Sequence, residues 1–280
     1  MAPGNLHFFT QQNNSNLGKL NMLFITINVD HAVLIFKRKV QMTLRGVIII
    51  FMSYLLFAGC QTKEPQMIAS VKIVGQMKNV MWRGQLYGTI KLDTIANKSN
   101  LYGLGPVEYL TGEILIMDGK SYKSTVSSDT TIKVVETYDL KAPFFSYANI
   151  SKWKEQVIPD SIQTIEQLEI HLNQLSNNSP RPFMFKVSGT IEQATIHIVN
   201  LPSGSKVGSP AEAHLGQRFY KIQKEQAEIL GFFSTAHKTI FTHHDTYLHM
   251  HLITTDKQKM GHLDKVLFKK GTMILFLPIG

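Results

Sequence analysis

Apolar and polar positions alternate in short bursts along most of this chain, and the period of the alternation is mainly two. VKIVG (71–75), GEILIMDG (112–119), TIKVVETY (131–138), MFKVSG (184–189), ATIHIVN (194–200) and TMILFLP (272–278) are rich in β-branched and aromatic residues and bounded by Gly, Asn or Pro. Such runs predict strands. In GEILIMDGKSY the Asp118-Gly119 pair predicts a tight hairpin connection. A helical period stands out once. Thr164-Ile-Glu-Gln167 has the capping-box form, and Ile165, Leu168, Leu172 and Leu175 then make one apolar stripe, as for a helix covering a sheet. NNSPRP (177–182) reads as a loop, and no repeat at solenoid periods is evident. The expected fold class is α+β and strand-dominated, with mixed sheets or a barrel-like arrangement and few helices.

Before residue 70 the pattern changes. MTLRGVIIIFMSYLLFAGC (42–60) places Arg45 ahead of an unbroken apolar run that ends at Ala58, two residues before Cys60. The run is about 13 residues, short of the roughly 20 a spanning helix needs, and has the proportions of a secretory signal. Phe57-Ala-Gly-Cys60 resembles a bacterial lipobox, whose first position is usually Leu. There the cysteine is lipidated and becomes the new N-terminus, and QTKEPQ follows here as a polar tether. The bland alternative is a free, buried cysteine after a short apolar helix. The expected organisation is an upstream, non-structural extension at 1–41 with the true start at Met42, a lipoprotein signal at 42–59, a tether at 60–69 and one folded domain at 70–280. It implies an exported protein held at the cell envelope by a lipid on Cys60.

Composition changes this picture little. The chain has 280 residues, 44% of them hydrophobic, enough for a sizeable core. The net charge of +9 hints at nucleic acid, but residues 1–59 carry five Lys or Arg against one acid. The remaining 221 residues hold 24 basic and 19 acidic groups, a net of +5, with no dense basic run. Nucleic acid is therefore not an expected partner. A single cysteine excludes an intrachain disulfide and any CxxC metal or redox motif.

The chemistry concentrates in THHDTYLHMHLITTDKQKMGHLD (242–264), which holds five of the 11 histidines. YLHMHLI (247–253) alternates as a strand, so His249 and His251 share one face while Leu248, Met250 and Leu252 take the other. Side-by-side imidazoles are costly to protonate together, and coordination of one cation by neutral rings relieves that cost. A polar stretch ending in Gly261 returns the chain, which makes His262 available as a third ligand. Three histidines leave a fourth position open, as in catalytic zinc sites. The competing reading is a pair of solvent-facing strand histidines. His243 and His244 fall on a loop before the strand, either at the mouth of the site or simply exposed.

His-X-His, ten residues, then His-Leu-Asp resembles the metal-binding segment of the α-acetolactate decarboxylases, Tyr-His-X-His-Phe…Gly-Gly-His-Val-Leu-Asp. GLGPVEYLTGEILIMDGKSY (103–122) is similar to that family's Gly-(Leu/Ile)-Gly-Thr-Phe…Leu-Asp-Gly-Glu…Asp-Gly segment. MWRGQLYGTIKLDTI (81–95) and ILGFFST (229–235) resemble further family stretches, in order over 70–268. The resemblance implies an acetolactate-decarboxylase-like domain at 70–280 that binds Zn2+ through His249, His251 and His262. It places Glu113 near the metal as a proton-handling or orienting group; the alternative for Glu113 is a solvent-facing strand carboxylate. It also implies a small hydroxy-keto acid substrate, 2-acetolactate, converted to acetoin and CO2. A cation would take up the charge that loss of CO2 leaves on the carbonyl oxygen, and a nearby acid would protonate carbon.

Two departures from the family bear on substrate. The family carries Arg-X-Arg on a strand leading to the site, where a guanidinium holds a carboxylate bidentately. Thr195 and His197 stand there in this sequence. His197 is a candidate catalytic acid or extra ligand, or an inert strand residue. The family's further acidic residue near the C-terminus has no counterpart, since Asp264 is the only carboxylate after Asp256 and matches the His-Val-Leu-Asp motif. Two alternatives follow: a tethered metalloprotein of the same scaffold acting on a different keto or hydroxy acid, or one binding a ligand without catalysis.

Overall fold

The computed structural model describes residues 33–42, 71–177, 179–242 and 246–279. Residues 33–42 form a helix and belong to a different compact unit from the rest. Among the described residues no helix is long and apolar enough to cross a membrane. Residues 43–70, which include Cys60 and the signal-like segment, lie outside the described residues.

Residues 71–279 build two six-stranded sheets from consecutive halves of the chain. The first is made of β1 (Lys72–Gly75), β3 (Leu101–Pro106), β4 (Glu113–Met117), β5 (Lys120–Val126), β6 (Ile132–Glu136) and β8 (Phe144–Asn149), in the order β1-β8-β3-β4-β5-β6. A ribbon of β2 (Ile90–Lys91) and β7 (Lys141–Ala142) lies apart from it. The second sheet comprises β9 (Trp153–Val157), β10 (Phe183–Ile198), β11 (Arg218–Phe233), β12 (Leu248–Thr254), β13 (Met260–Phe268) and β14 (Ile274–Pro278). Its order is β11-β12-β13-β10-β14-β9, and an added β10–β11 pairing closes four of its strands on themselves. The strand-dominated, barrel-like expectation holds, with all the ladders antiparallel.

Closure of the barrel sorts the side chains. Phe183, Phe185, Ile196, Ile198, Ile229, Leu248, Met250, Leu252 and Leu263 fill one core. Helix α2 (Ile165–Leu175) seals it with Leu168 and Leu172. Its N-terminus has the predicted capping box, the Thr164 side chain accepting from the Gln167 backbone and the Gln167 side chain accepting in return. The outer face of the barrel packs on the first sheet through a second core. Leu104, Leu115, Met117 and Phe144 come from the first sheet, Met184, Phe232, Ile253 and Met260 from the barrel, and Met77 and Met81 from helix α1 (Met77–Arg83).

One expectation needs correction. MFKVSG and ATIHIVN are not separate strands but parts of one, the 16-residue β10. Glu192 is an extra residue in its ladder with β13, and buried positions shift from Ile191 to Ala194 across it, so the alternation slips phase. Its partner β11, unassigned from sequence, slips likewise around Lys224, whose φ is 53°. The β4–β5 hairpin forms as expected, with Asp118 and Gly119 both at positive φ (47° and 77°). A Cβ on Gly119 would stand 2.3 Å from the Lys98 carbonyl oxygen, which excludes any larger residue there.

A histidine centre between the sheets

β12 alternates as its pattern demands. With Leu248, Met250 and Leu252 committed to the barrel core, His249 and His251 face the first sheet. The polar turn after β12 is held by Asp256, whose Oδ1 accepts from Thr254 Oγ1 (2.6 Å) and from the Gln258 N–H (3.0 Å). It returns the chain so that His251 pairs directly with His262 on β13. Ligand nitrogens of His249, His251 and His262 all lie within 4.8 Å of one another. Gly261 permits the close approach beside them: a Cβ there would stand 2.6 Å from the His197 carbonyl oxygen.

The surroundings prepare these rings for a cation. His249 Nδ1 lies 2.9 Å from the Phe241 carbonyl, which only accepts, so this nitrogen carries the proton and Nε2 is directed to the cluster. His251 is fully buried, and neither of its nitrogens has a hydrogen-bond partner among the described residues. Burial, with repulsion from His197, lowers its pKa to about 3; the nearby Ile114 backbone opposes this without a well-formed hydrogen bond. A neutral, buried, unpartnered imidazole is costly in a folded protein, and coordination to a metal removes that cost. A divalent cation therefore fits the residues present.

Glu113 opens β4 and points, like Leu115 and Met117, towards the barrel. The solvent-facing alternative fails, because it is buried, 3% exposed. Its Oε1 accepts from the Val199 N–H (3.2 Å), and its Oε2 lies 3.6 Å from His251 Nε2, too far for a hydrogen bond. Burial raises its pKa well above the usual 4.5, Asp264 adds to the rise and the Val199 bond opposes it.

His197 is also buried, opposite His262 in the β10–β13 ladder, with ring centroids 4.6 Å apart. Its Nδ1 lies 2.7 Å from Asp264 Oδ1. Asp264 is the residue left over where the ladder steps from Leu263 to Lys265, so a bulge aims its carboxylate at His197. Ligand atoms of His197, His262 and Asp264 also lie within 4.8 Å of one another, which makes them a second possible ligand group. Thr195 stands one turn of the pleat away, between Lys221 and Lys265. His243 and His244 lie outside the described residues.

The Phe241 carbonyl, the Val199 N–H and the Asp264–His197 pair were not found from sequence, since each is a tertiary contact without a local pattern. Over the centre lies a small cavity of about 30 Å³, bordered by Met77, Met81, Leu110, Glu113, Phe144 and His214 among others.

Residues 71–276 match the family model described as alpha-acetolactate decarboxylase. The α-acetolactate decarboxylase of Bacillus subtilis strain 168 superposes with a TM-score of 0.62 at 20% identity, over 75% of this chain and 85% of that one. The acetolactate decarboxylase of Bacillus subtilis subspecies spizizenii gives 0.62 at 21%, over 75% and 86%. A Staphylococcus aureus protein of unknown function, described as similar to alpha-acetolactate decarboxylase, gives 0.58 at 19%, over 75% and 85%. No curated protein matches. At these identities the solved structures establish the fold, and the family model, spanning most of the sequence, establishes that this chain belongs to the α-acetolactate decarboxylase family.

Proposed function

We propose that this protein is a metal-dependent carboxy-lyase that converts 2-acetolactate to acetoin and CO2, with His249, His251 and His262 holding zinc. The observation that carries this reading is the unpartnered, fully buried His251 beside two further imidazoles and the buried acid Glu113. A bound divalent cation supplies an electrophile for the negative charge that decarboxylation develops on the substrate's carbonyl oxygen.

The chain's own residues do the rest. The bond between the carboxylate and the hydroxyl-bearing carbon breaks, CO2 leaves, and its electron pair passes into the carbon–carbon bond and onto the carbonyl oxygen. The hydroxyl-bearing carbon then takes a proton. Glu113 is the donor in this reading, because burial favours its protonated form and it borders the same cavity as His249 and His262. The Val199 N–H fixes one carboxyl oxygen and leaves the other on the side of His251. His197, oriented by Asp264, borders the cavity too and receives the substrate carboxylate. Phe144, Met77 and Met81 give the cavity an apolar wall.

A second reading keeps the metal and changes the ligand. It is favoured by Thr195 and His197, which stand where the family has its two arginines. Under it the protein acts on a different keto or hydroxy acid, or binds one without turnover. In both readings the chain is exported and anchored in the cell envelope by a lipid on Cys60, which rests on the Phe57-Ala-Gly-Cys60 sequence. Loss of membrane fractionation and of fatty-acid labelling in Cys60→Ser tests the anchor.

The deciding experiment gives zinc-loaded full-chain protein racemic acetolactate and measures acetoin beside His251→Ala. Acetoin formation lost in the variant supports the decarboxylase. Stoichiometric zinc without turnover of acetolactate defeats it and leaves the second reading.

A further inference from the structure

The cavity over the histidines holds about 30 Å³, room for one or two waters and far less than a branched hydroxy-keto acid. Beside it lies a much larger hollow of about 550 Å³, lined by Leu86, Tyr87, Tyr109, Thr111, Leu201 and Ser203 among others. Leu110 links the linings of the two. Leu110, fully buried, borders the inner cavity, and its carbonyl accepts from the N–H of Leu201 (2.9 Å), which lines the outer hollow.

Leu110 is carried on an unusual piece of backbone. It and Tyr109 are consecutive non-glycine residues at positive φ, 54° and 60°, a conformation that L residues rarely adopt. The turn is closed by the Val107 N–H on the Gly112 carbonyl (2.8 Å), and Pro106 pairs with Glu113 just outside it. A change of conformation in residues 108–111 would break the hydrogen bonds from the Tyr109 N–H to the Leu86 carbonyl (2.7 Å) and from the Leu201 N–H to the Leu110 carbonyl, but no pairing of the β3–β4 ladder, which ends at Pro106 and Glu113. A strained turn with fixed ends is suited to two discrete positions.

We propose that Leu110 is the gate and size filter of the site. A small keto acid collects in the hollow beside Tyr87 and Tyr109 and passes to Glu113 and the histidines when the turn swings Leu110 aside. The nature of that ligand rests on the decarboxylase reading; the gate itself does not. A rival way in exists, a cleft of about 440 Å³ beneath α2 that reaches His262 from the barrel side. Glu166, Glu169 and Asp264 line it, which disfavours an anion.

The test uses the zinc-loaded full chain and follows metal capture by the small anionic chelator pyridine-2,6-dicarboxylate. Leu110→Ala should speed chelator-dependent capture, because it removes the side chain that closes the path. It should also raise kcat/KM for the ethyl homologue of acetolactate relative to acetolactate itself. Leu110→Ala empties part of a core, so Ser203→Trp, an exposed change that fills the outer hollow, gives an independent reading and should slow capture. Unchanged capture in Ser203→Trp, or slower capture in Ile170→Trp, which narrows the rival cleft, would overturn the gate. Capture that responds as expected without decarboxylation of either acid would leave the gate standing and sink the proposed reaction.

Discussion

His251 and His262 stand directly opposite each other in the β12–β13 ladder, with ring centroids 5.5 Å apart, on the buried face that meets the first sheet. Nothing apolar in the chain required two imidazoles there. Leucine at either place would have extended the core of Ile253 and Met260 beside them.

His251→Leu should therefore separate folding from metal binding. It replaces an unpartnered polar ring by an apolar side chain, so the metal-free variant should be more stable by about 1 kcal/mol. Zinc should raise the melting temperature of the parent protein and leave that of the variant unchanged. Thermal melts with and without zinc check both; a less stable variant that still responds to zinc would refute the ligand assignment.

Glu113→Gln keeps the shape and the Val199 contact but has no acidic proton to give. Zinc stoichiometry should stay the same, while acetoin formation should fall by about 10²–10⁴-fold, the usual contribution of a general acid. Equal loss of both would show that Glu113 serves the metal rather than the reaction.

Gly261→Ala brings a methyl group to 2.6 Å from the His197 carbonyl oxygen. β13 must shift away from β10, at a cost of about 1–3 kcal/mol. His262 moves with it, so zinc affinity measured by chelator competition should weaken more than it does in Gly208→Ala, where the nearest atom to the added Cβ is 3.5 Å away.

Asp256 tests the turn through pH. The Thr254 hydroxyl and then the Gln258 N–H hold its carboxyl below the usual 3.8. A pKa lowered by folding adds stability above the unfolded value, and that stability is lost as pH falls through the folded value. The difference in melting temperature between the metal-free parent and Asp256→Asn should be present at about pH 6 and shrink towards about pH 3. A difference that does not depend on pH would mean that the charge on Asp256 does not support the turn.

Much of this site is written in local pattern. In YLHMHLI the apolar residues at alternate positions oblige His249 and His251 to share the other face, because a strand has a period of two. A polar return ending in glycine then brings His262 alongside. The capping box at Thr164 and the Asp118-Gly119 hairpin are equally local, and each formed as its residues demand. What sequence pattern does not carry is the identity of the surface facing those histidines. A strand face reads the same whether it meets water or a second sheet, and only closure of the barrel against the first sheet made this one buried. That packing delivered Glu113 to Val199 across 86 residues, and the β10–β13 pairing within the barrel brought the Asp264 bulge to His197 across 67. The bulges interrupted the very alternation from which strands are read, so β10 looked like two strands and β11 like none. Local periodicity thus determined which residues point together; contacts between distant segments, which leave no periodic trace, determined what they point at.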